Sequence, residues 1–153
     1  VMKGIRAIQK GIPIITDVTM VQAGVRKAPL ADFGIDLPCF LYDRDVAEAA
    51  MSQGITKSMA AMKKAVRLYP EGIFVIGNAP TAVFELCEQF DRGQCRPSLV
   101  VGIPIGFVGA AECKEELISR DIPCITNRGP RGGSPVAAAI PNALLFLAGK
   151  EKG

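Results

Sequence analysis

A flavodoxin-like α/β fold, a three-layer sandwich built on a mostly parallel five-stranded sheet, is what this sequence predicts, and three observations carry the prediction. Short apolar runs rich in Ile and Val alternate along the chain with stretches whose apolar residues recur at helical spacing. The runs are nearly continuous rather than polar at every second position, which suits strands buried on both faces of a parallel sheet. There are five of them, too few to close a (β/α)8 barrel, so an open sheet with helices on both sides follows. At 153 residues, 49% hydrophobic and 22% charged, the chain suits a single domain, residues 1–153, with a core large enough to need no staples.

The elements follow in order. Ile5 and Ile8 stand at helical spacing in a segment that ends at Lys10-Gly11, a cation and then a glycine suited to stopping a helix. "IPIITDV" (12–18) is the first strand and "PCFLYD" (38–43) the second. Between them, "RKAPLADFGIDLP" (26–38) reads as a long irregular loop, a flap or an interface element. Asp45 is placed to cap "VAEAAMSQ", which Gly54 ends, and Thr56 to cap "KSMAAMKKAVRLY", where Met59, Met62 and Val66 share a face and Pro70 closes the helix. Three strand-helix units complete the chain: strand 73–78 with helix 80–90, strand 98–104 with helix 109–119, and strand 123–126 with helix 135–147. Pro141 lies inside the last helix, where the missing N–H predicts a kink, and its "AAAIPNALLF" surroundings favour packing.

Composition narrows the function. The five cysteines form no C-x-x-C pair and no histidine is present, so no zinc site, Ser/His/Asp triad or Cys/His pair can be assembled; no metal ligand and no catalytic residue is assigned. A net charge of +3 without basic-aromatic clusters is too small for a nucleic-acid footprint. No apolar run reaches the roughly 18 residues of a membrane span. The expectation is a cytoplasmic protein with reduced thiols that binds neither nucleic acid nor membrane.

In an open parallel sheet, ligands bind beyond the carboxyl ends of the strands. Asp17 and Met20 follow the first strand, Gly77, Asn78 and Thr81 the third, Gly106 and Phe107 the fourth, and Arg128, Arg131, Gly132, Gly133 and Ser134 the fifth. The last three of these junctions are glycine-containing turns into helices, whose free N–H groups suit carboxylate or phosphate, although tight turns need glycine in any case. Neither G-x-G-x-x-G nor G-x-x-x-x-G-K-[ST] is present, which disfavours a nucleotide. Lys57, beside Ser58 in a first helical turn, and Arg128 and Arg131 before a helix start are cations where the helix dipole favours anions. Each is either a solvated side chain or part of a site for a ligand with several negative charges. Asp17 is either a polar contact in the site or a cap for "TMVQAG".

Taken in order, "IPIITDVTMVQAGV", "GITKSMAAM", "IGNAPTAVFEL", "PSLVVGIPIGFVGAAECKEEL" and "RGPRGGSPVAAAIPNALL" resemble the successive motifs of the precorrin-8X methylmutase family of cobalamin biosynthesis. The resemblance covers nearly the whole chain. It implies a flavodoxin-like fold, a homodimer, and a cofactor-independent shift of a methyl group from ring carbon 11 to carbon 12 of a corrin precursor, precorrin-8X or cobalt-precorrin-8. A non-catalytic corrinoid carrier is the alternative. The macrocycle is flat, apolar and edged with carboxylates, so "GIPIGFVG" would lie against the ring while Lys57, Arg128, Arg131 and the helix starts at 78–81 and 132–134 meet its rim. Two departures stand out. The family's catalytic acid is a histidine in an N-terminal segment that this chain is expected to lack, which predicts slow or undetectable methyl migration by the chain alone. The family's T-R-S is "TKS" here, which puts Lys57 in place of an arginine and gives up the bidentate fork.

Overall fold

Strands β1 (Ile14–Thr16), β2 (Ile73–Ile76), β3 (Leu99–Gly102) and β4 (Cys124–Thr126) pair side by side in that order, all parallel, in a computed structural model that describes residues 1–152. Ile14 stands beside Ile73, Ile73 beside Leu99, and Val100 beside Cys124. The helices are α1 (Met2–Gln9), α2 (Thr19–Gly24), α3 (Lys27–Phe33), α4 (Arg44–Gln53), α5 (Lys57–Leu68), α6 (Pro80–Asp91), α7 (Ala110–Ile118) and α8 (Ser134–Lys152).

Successive side chains on a strand point to opposite faces, and the core divides accordingly. Ile14, Ile73, Val75, Leu99 and Val101 pack with Ile5, Ile8, Val21, Leu30 and Leu144 from α1, α2, α3 and α8. Ile15, Phe74, Ile76 and Val100 pack with Met62, Val66, Val83, Leu86 and Leu117 from α5, α6 and α7. Helices therefore cover both faces, as the continuous apolar runs require.

The expected second strand, residues 38–43, is reduced to a single bridge between Thr16 and Cys39, which leaves four strands of the five expected. Ile14 and Thr16 donate their N–H groups to the carbonyls of Asp36 and Pro38, at 2.9 and 3.0 Å. Pro38 has no N–H to return, and the chain turns at Leu41-Tyr42, so this edge segment never becomes a strand. The irregular loop expected at 26–38 is also corrected, since most of it is α3. Pro29 falls in the first turn of α3, where its missing N–H costs little. Gly34, at φ 65°, ends the helix in the left-handed conformation.

Caps are partly as expected. Thr56 Oγ1 accepts the Met59 N–H at 3.1 Å. Asp45 is not the cap of α4; that position is Asp43, and Asp45 lies in the first turn, where both carboxylates meet Lys64 Nζ at 2.8 and 2.9 Å. α8 runs unbroken through Pro141 and begins at Ser134, one residue before the expected start, with Ala137 N–H bonded to Gly133 C=O. Beside the proline, Asn142 accepts Arg26 N–H and donates to Gly24 C=O, both at 2.9 Å, which ties the α2–α3 junction to α8.

Candidate functional site

Each strand hands over to a loop at the carboxyl edge of the sheet, and there the first candidate, Asp17, proves to be a brace. Its N–H extends the ladder to Val75 C=O at 3.2 Å. Its carboxylate accepts the N–H groups of Gly77 at 3.0 Å and of Asn78 and Ala79 at 2.9 Å each. Only 4% of Asp17 is exposed. Burial pushes its carboxyl above the ordinary carboxylate value, while the three N–H bonds pull the other way. Asp17 thus joins the end of β1 to the start of α6 and does not cap "TMVQAG", whose N-cap is Val18. The N–H groups at 77–79, expected to be open to an anion, are occupied by this internal carboxylate.

The loops after β3 and β4 are fastened to one another. Gly106 N–H donates to Pro130 C=O at 3.1 Å, Gly133 N–H to Ile103 C=O at 2.9 Å, and Thr126 Oγ1 to Gly102 C=O at 2.5 Å. Gly132 lies so close to this partner that a Cβ would collide with the Ile103 carbonyl oxygen and come within 2.8 Å of that of Pro104. The tip of the first loop is apolar and open to solvent: Phe107 is 100% exposed, Val108 90% and Ile105 51%. Arg128 and Arg131 stand exposed on the second loop. Arg128 reaches Glu115 at only 3.8 Å, and Arg131 makes no side-chain ion pair among the described residues.

Gly106, Arg131, Gly132 and Gly133 thus come together, with Arg128 in the same loop. The turn at Gly77 joins them, because a Cβ there would be 3.0 Å from the Cα of Ser134. Asn78 is exposed and Thr81 half-buried at the start of α6, and Met20 is exposed on α2. Lys57 stands apart. It is the exposed first residue of α5, on the opposite face of the sheet from α8, with Ser58 half-buried beside it, and no hydrogen bond or ion pair among the described residues joins it to the 132–134 turn.

Two residues escape the sequence reading. Lys114 is fully buried and donates to the carbonyls of Gly129 at 2.8 Å and Arg131 at 2.5 Å. Burial pulls its pKa below the ordinary lysine value. Asn127 donates to the same Arg131 carbonyl at 3.0 Å, and its Oδ1 is buried with no partner among the described residues. The signal available was Lys114 itself, a lysine at the fifth position of an otherwise well-packed helix.

A cavity of about 660 Å3 lies elsewhere, between α2 and α3, lined by residues that include Thr19, Gln22, Lys27, Leu30 and Leu37. It is a cleft with a single cation, whereas the paired loops combine apolar surface, two arginines and glycine N–H groups. No three His, Cys, Asp or Glu side chains among the described residues could hold a metal ion, and no helix is long and apolar enough to cross a membrane.

An open parallel sheet with helices on both faces, its carboxyl-edge loops stitched into an apolar and cationic surface, defines a protein of the open α/β class. Residues 1–147 match the Precorrin-8X methylmutase family, and the chain belongs to it. It is 43% identical over 148 residues to the cobalt-precorrin-8 methylmutase of Priestia megaterium, an alignment covering 97% of this chain and 66% of that protein. It is also 43% identical over 150 residues to the enzyme of the same name from Methanocaldococcus jannaschii, covering 98% and 68%. The chain thus spans about two thirds of the length of these relatives. A crystal structure of a precorrin-8X methylmutase from Thermus thermophilus superimposes with a TM-score of 0.89 at 33% identity, covering 98% of this chain and 73% of that one.

Proposed function

We propose that the chain is an isomerase of cobalamin biosynthesis that moves a methyl group from ring carbon 11 to carbon 12 of precorrin-8X or cobalt-precorrin-8. Family membership supports the reading, and the observation that carries it is the stitched pair of loops, apolar at 105–108 and cationic at Arg128 and Arg131. A flat macrocycle would rest on the first and direct its rim carboxylates to the second, with Lys57 reaching a further carboxylate from the start of α5. Methyl migration around a conjugated ring needs no nucleophile. It needs a surface that fixes the product geometry, which backbone, apolar side chains and cations can supply, and proton delivery that biases the π system, for which no histidine is present in these 153 residues.

The same reading includes a flavodoxin-like three-layer fold. Counting the bridged segment at 36–39 as an edge strand gives the order 2-1-3-4-5. It also includes a homodimer in a cytoplasmic setting. The carrier alternative is not favoured, because the matched relatives are named as methylmutases. Titration with cobyrinic acid, FMN and NAD, followed by visible absorbance, tests the reading. Saturable spectral change with the corrinoid alone is expected, and tight FMN binding without a corrinoid response would contradict it.

A further inference from the structure

Lys114 is the most costly group in the molecule that the proposed function leaves without a role. Its side chain is fully buried, yet no carboxylate among the described residues lies within ion-pairing distance, and its two partners are the backbone carbonyls of Gly129 and Arg131. A buried charge without a counter-charge is penalised heavily. The location does not offset the cost: Lys114 is the fifth of the nine residues of α7, and helical side chains lean toward the N-terminus, away from the negative end of the helix dipole. A leucine or methionine there would pack without that penalty.

Two consequences follow from Lys114. It spans from α7 to the loop after β4 and holds two carbonyls of that loop inward. A trans peptide sets the N–H opposite its C=O, so turning the Arg131 carbonyl toward Lys114 turns the Gly132 N–H away from it, and that N–H has no hydrogen-bond partner among the described residues. When protonated, Lys114 also places a positive charge beneath the segment that carries Arg128 and Arg131.

We propose that Lys114 is a positioning residue of the ligand site: by fastening the Gly129 and Arg131 carbonyls it sets the path of the 127–133 loop, and its unpaired charge tunes that loop for a ligand bearing carboxylates. The proposal rests on the corrinoid reading for the identity of that ligand, and on the hydrogen bonds alone for the loop.

The test uses Lys114→Met, which keeps the stem and removes charge and donors, Lys114→Gln, which keeps a donor without charge, and Lys114→Arg. Each is titrated with cobyrinic acid and with its neutral methyl ester, and deuterium exchange is measured at 127–133 without ligand. The expected result is a preference for the acid over the ester that falls about tenfold in Lys114→Met and Lys114→Gln and returns in Lys114→Arg, with faster exchange at 127–133 in Lys114→Met and unchanged exchange in α5. A folded neutral variant with the parent's acid preference overturns the charge role, and if Lys114→Met does not fold, Lys114→Gln decides the point. Parental exchange at 127–133 in Lys114→Met, or in Lys114→Ala where Lys114→Met does not fold, overturns the loop role. A parent that binds neither corrinoid overturns the functional reading and the charge role with it, while the exchange result still decides the loop role.

Discussion

Replacing Asp17 with Ala should destabilise the fold more than any other single polar substitution at the carboxyl edge. The carboxylate accepts three backbone N–H groups, from Gly77, Asn78 and Ala79, and those of Gly77 and Ala79 are in buried surroundings. Hydrogen bonds to a charged group contribute about 1.5–3 kcal/mol each, and a buried donor left unpaired costs about 1–3 kcal/mol. These figures are not additive, since burying the carboxylate itself carries a desolvation cost. A loss of about 3–5 kcal/mol is the working value, the range for removing one partner from a buried charged contact. In a domain of this size that corresponds to a fall in Tm of about 8–15 °C. Asp17→Asn should cost less, because one amide oxygen can still face Asn78 and Ala79 while the NH2 group opposes the Gly77 N–H. Guanidinium unfolding of parent, Asp17→Asn and Asp17→Ala supplies the measurement. A loss below about 1 kcal/mol for Asp17→Ala would refute the view that this carboxylate braces β1 against α6.

Lys57→Ala should weaken corrinoid binding by about 1–3 kcal/mol and leave stability unchanged, while Lys57→Arg preserves or strengthens binding through its planar fork; an unchanged affinity in Lys57→Ala at low salt would remove this residue from the site. Burial pushes the Cys113 thiol up to about 12 and those of Cys87 and Cys95 to about 11. With a thiol reagent at pH 8, labelling of the folded protein should therefore be confined to the half-buried Cys39 and Cys124, and all five should react in guanidinium. Arg120 holds the Asp91 carboxyl below the ordinary range and Lys64 does the same for Asp45. A carboxylate depressed in this way contributes stability above the ordinary pKa and loses it as pH falls through the folded value. Tm should thus drop on acidification below about pH 4, and less so in the double variant Asp45→Asn, Asp91→Asn; parallel pH profiles would show that the pairs contribute nothing.

What was legible in the sequence was local. The Thr56 cap depends on a bond three residues away, and β2 and β3 are continuous apolar runs at the sheet centre, so both follow from short windows. The edge was harder to read. "PCFLYD" has the composition of a strand, but Pro38 removes a donor and the turn at Leu41-Tyr42 follows at once. α3 was hidden by Pro29 and by having Leu30 as its sole buried residue. For the site, glycine turns at strand ends were visible as punctuation, which placed Gly106, Gly132 and Gly133 correctly at the carboxyl edge. The partners of Asp17 lie 60 to 62 residues along the chain. No short window reveals that its carboxylate fills the helix start at 77–79, or that Lys114 turns inward to the loop after β4.

Deuterium exchange with and without saturating cobyrinic acid tests most directly whether the macrocycle lies on the paired loops. Slowed exchange is expected in 102–109 and in 127–134, the two segments joined by the Gly106–Pro130 and Gly133–Ile103 hydrogen bonds, with no change at 69–72 at the opposite end of the sheet. Protection confined to the α2–α3 cleft at 19–37, or absent from both loops in a complex shown to be saturated by absorbance, would contradict it.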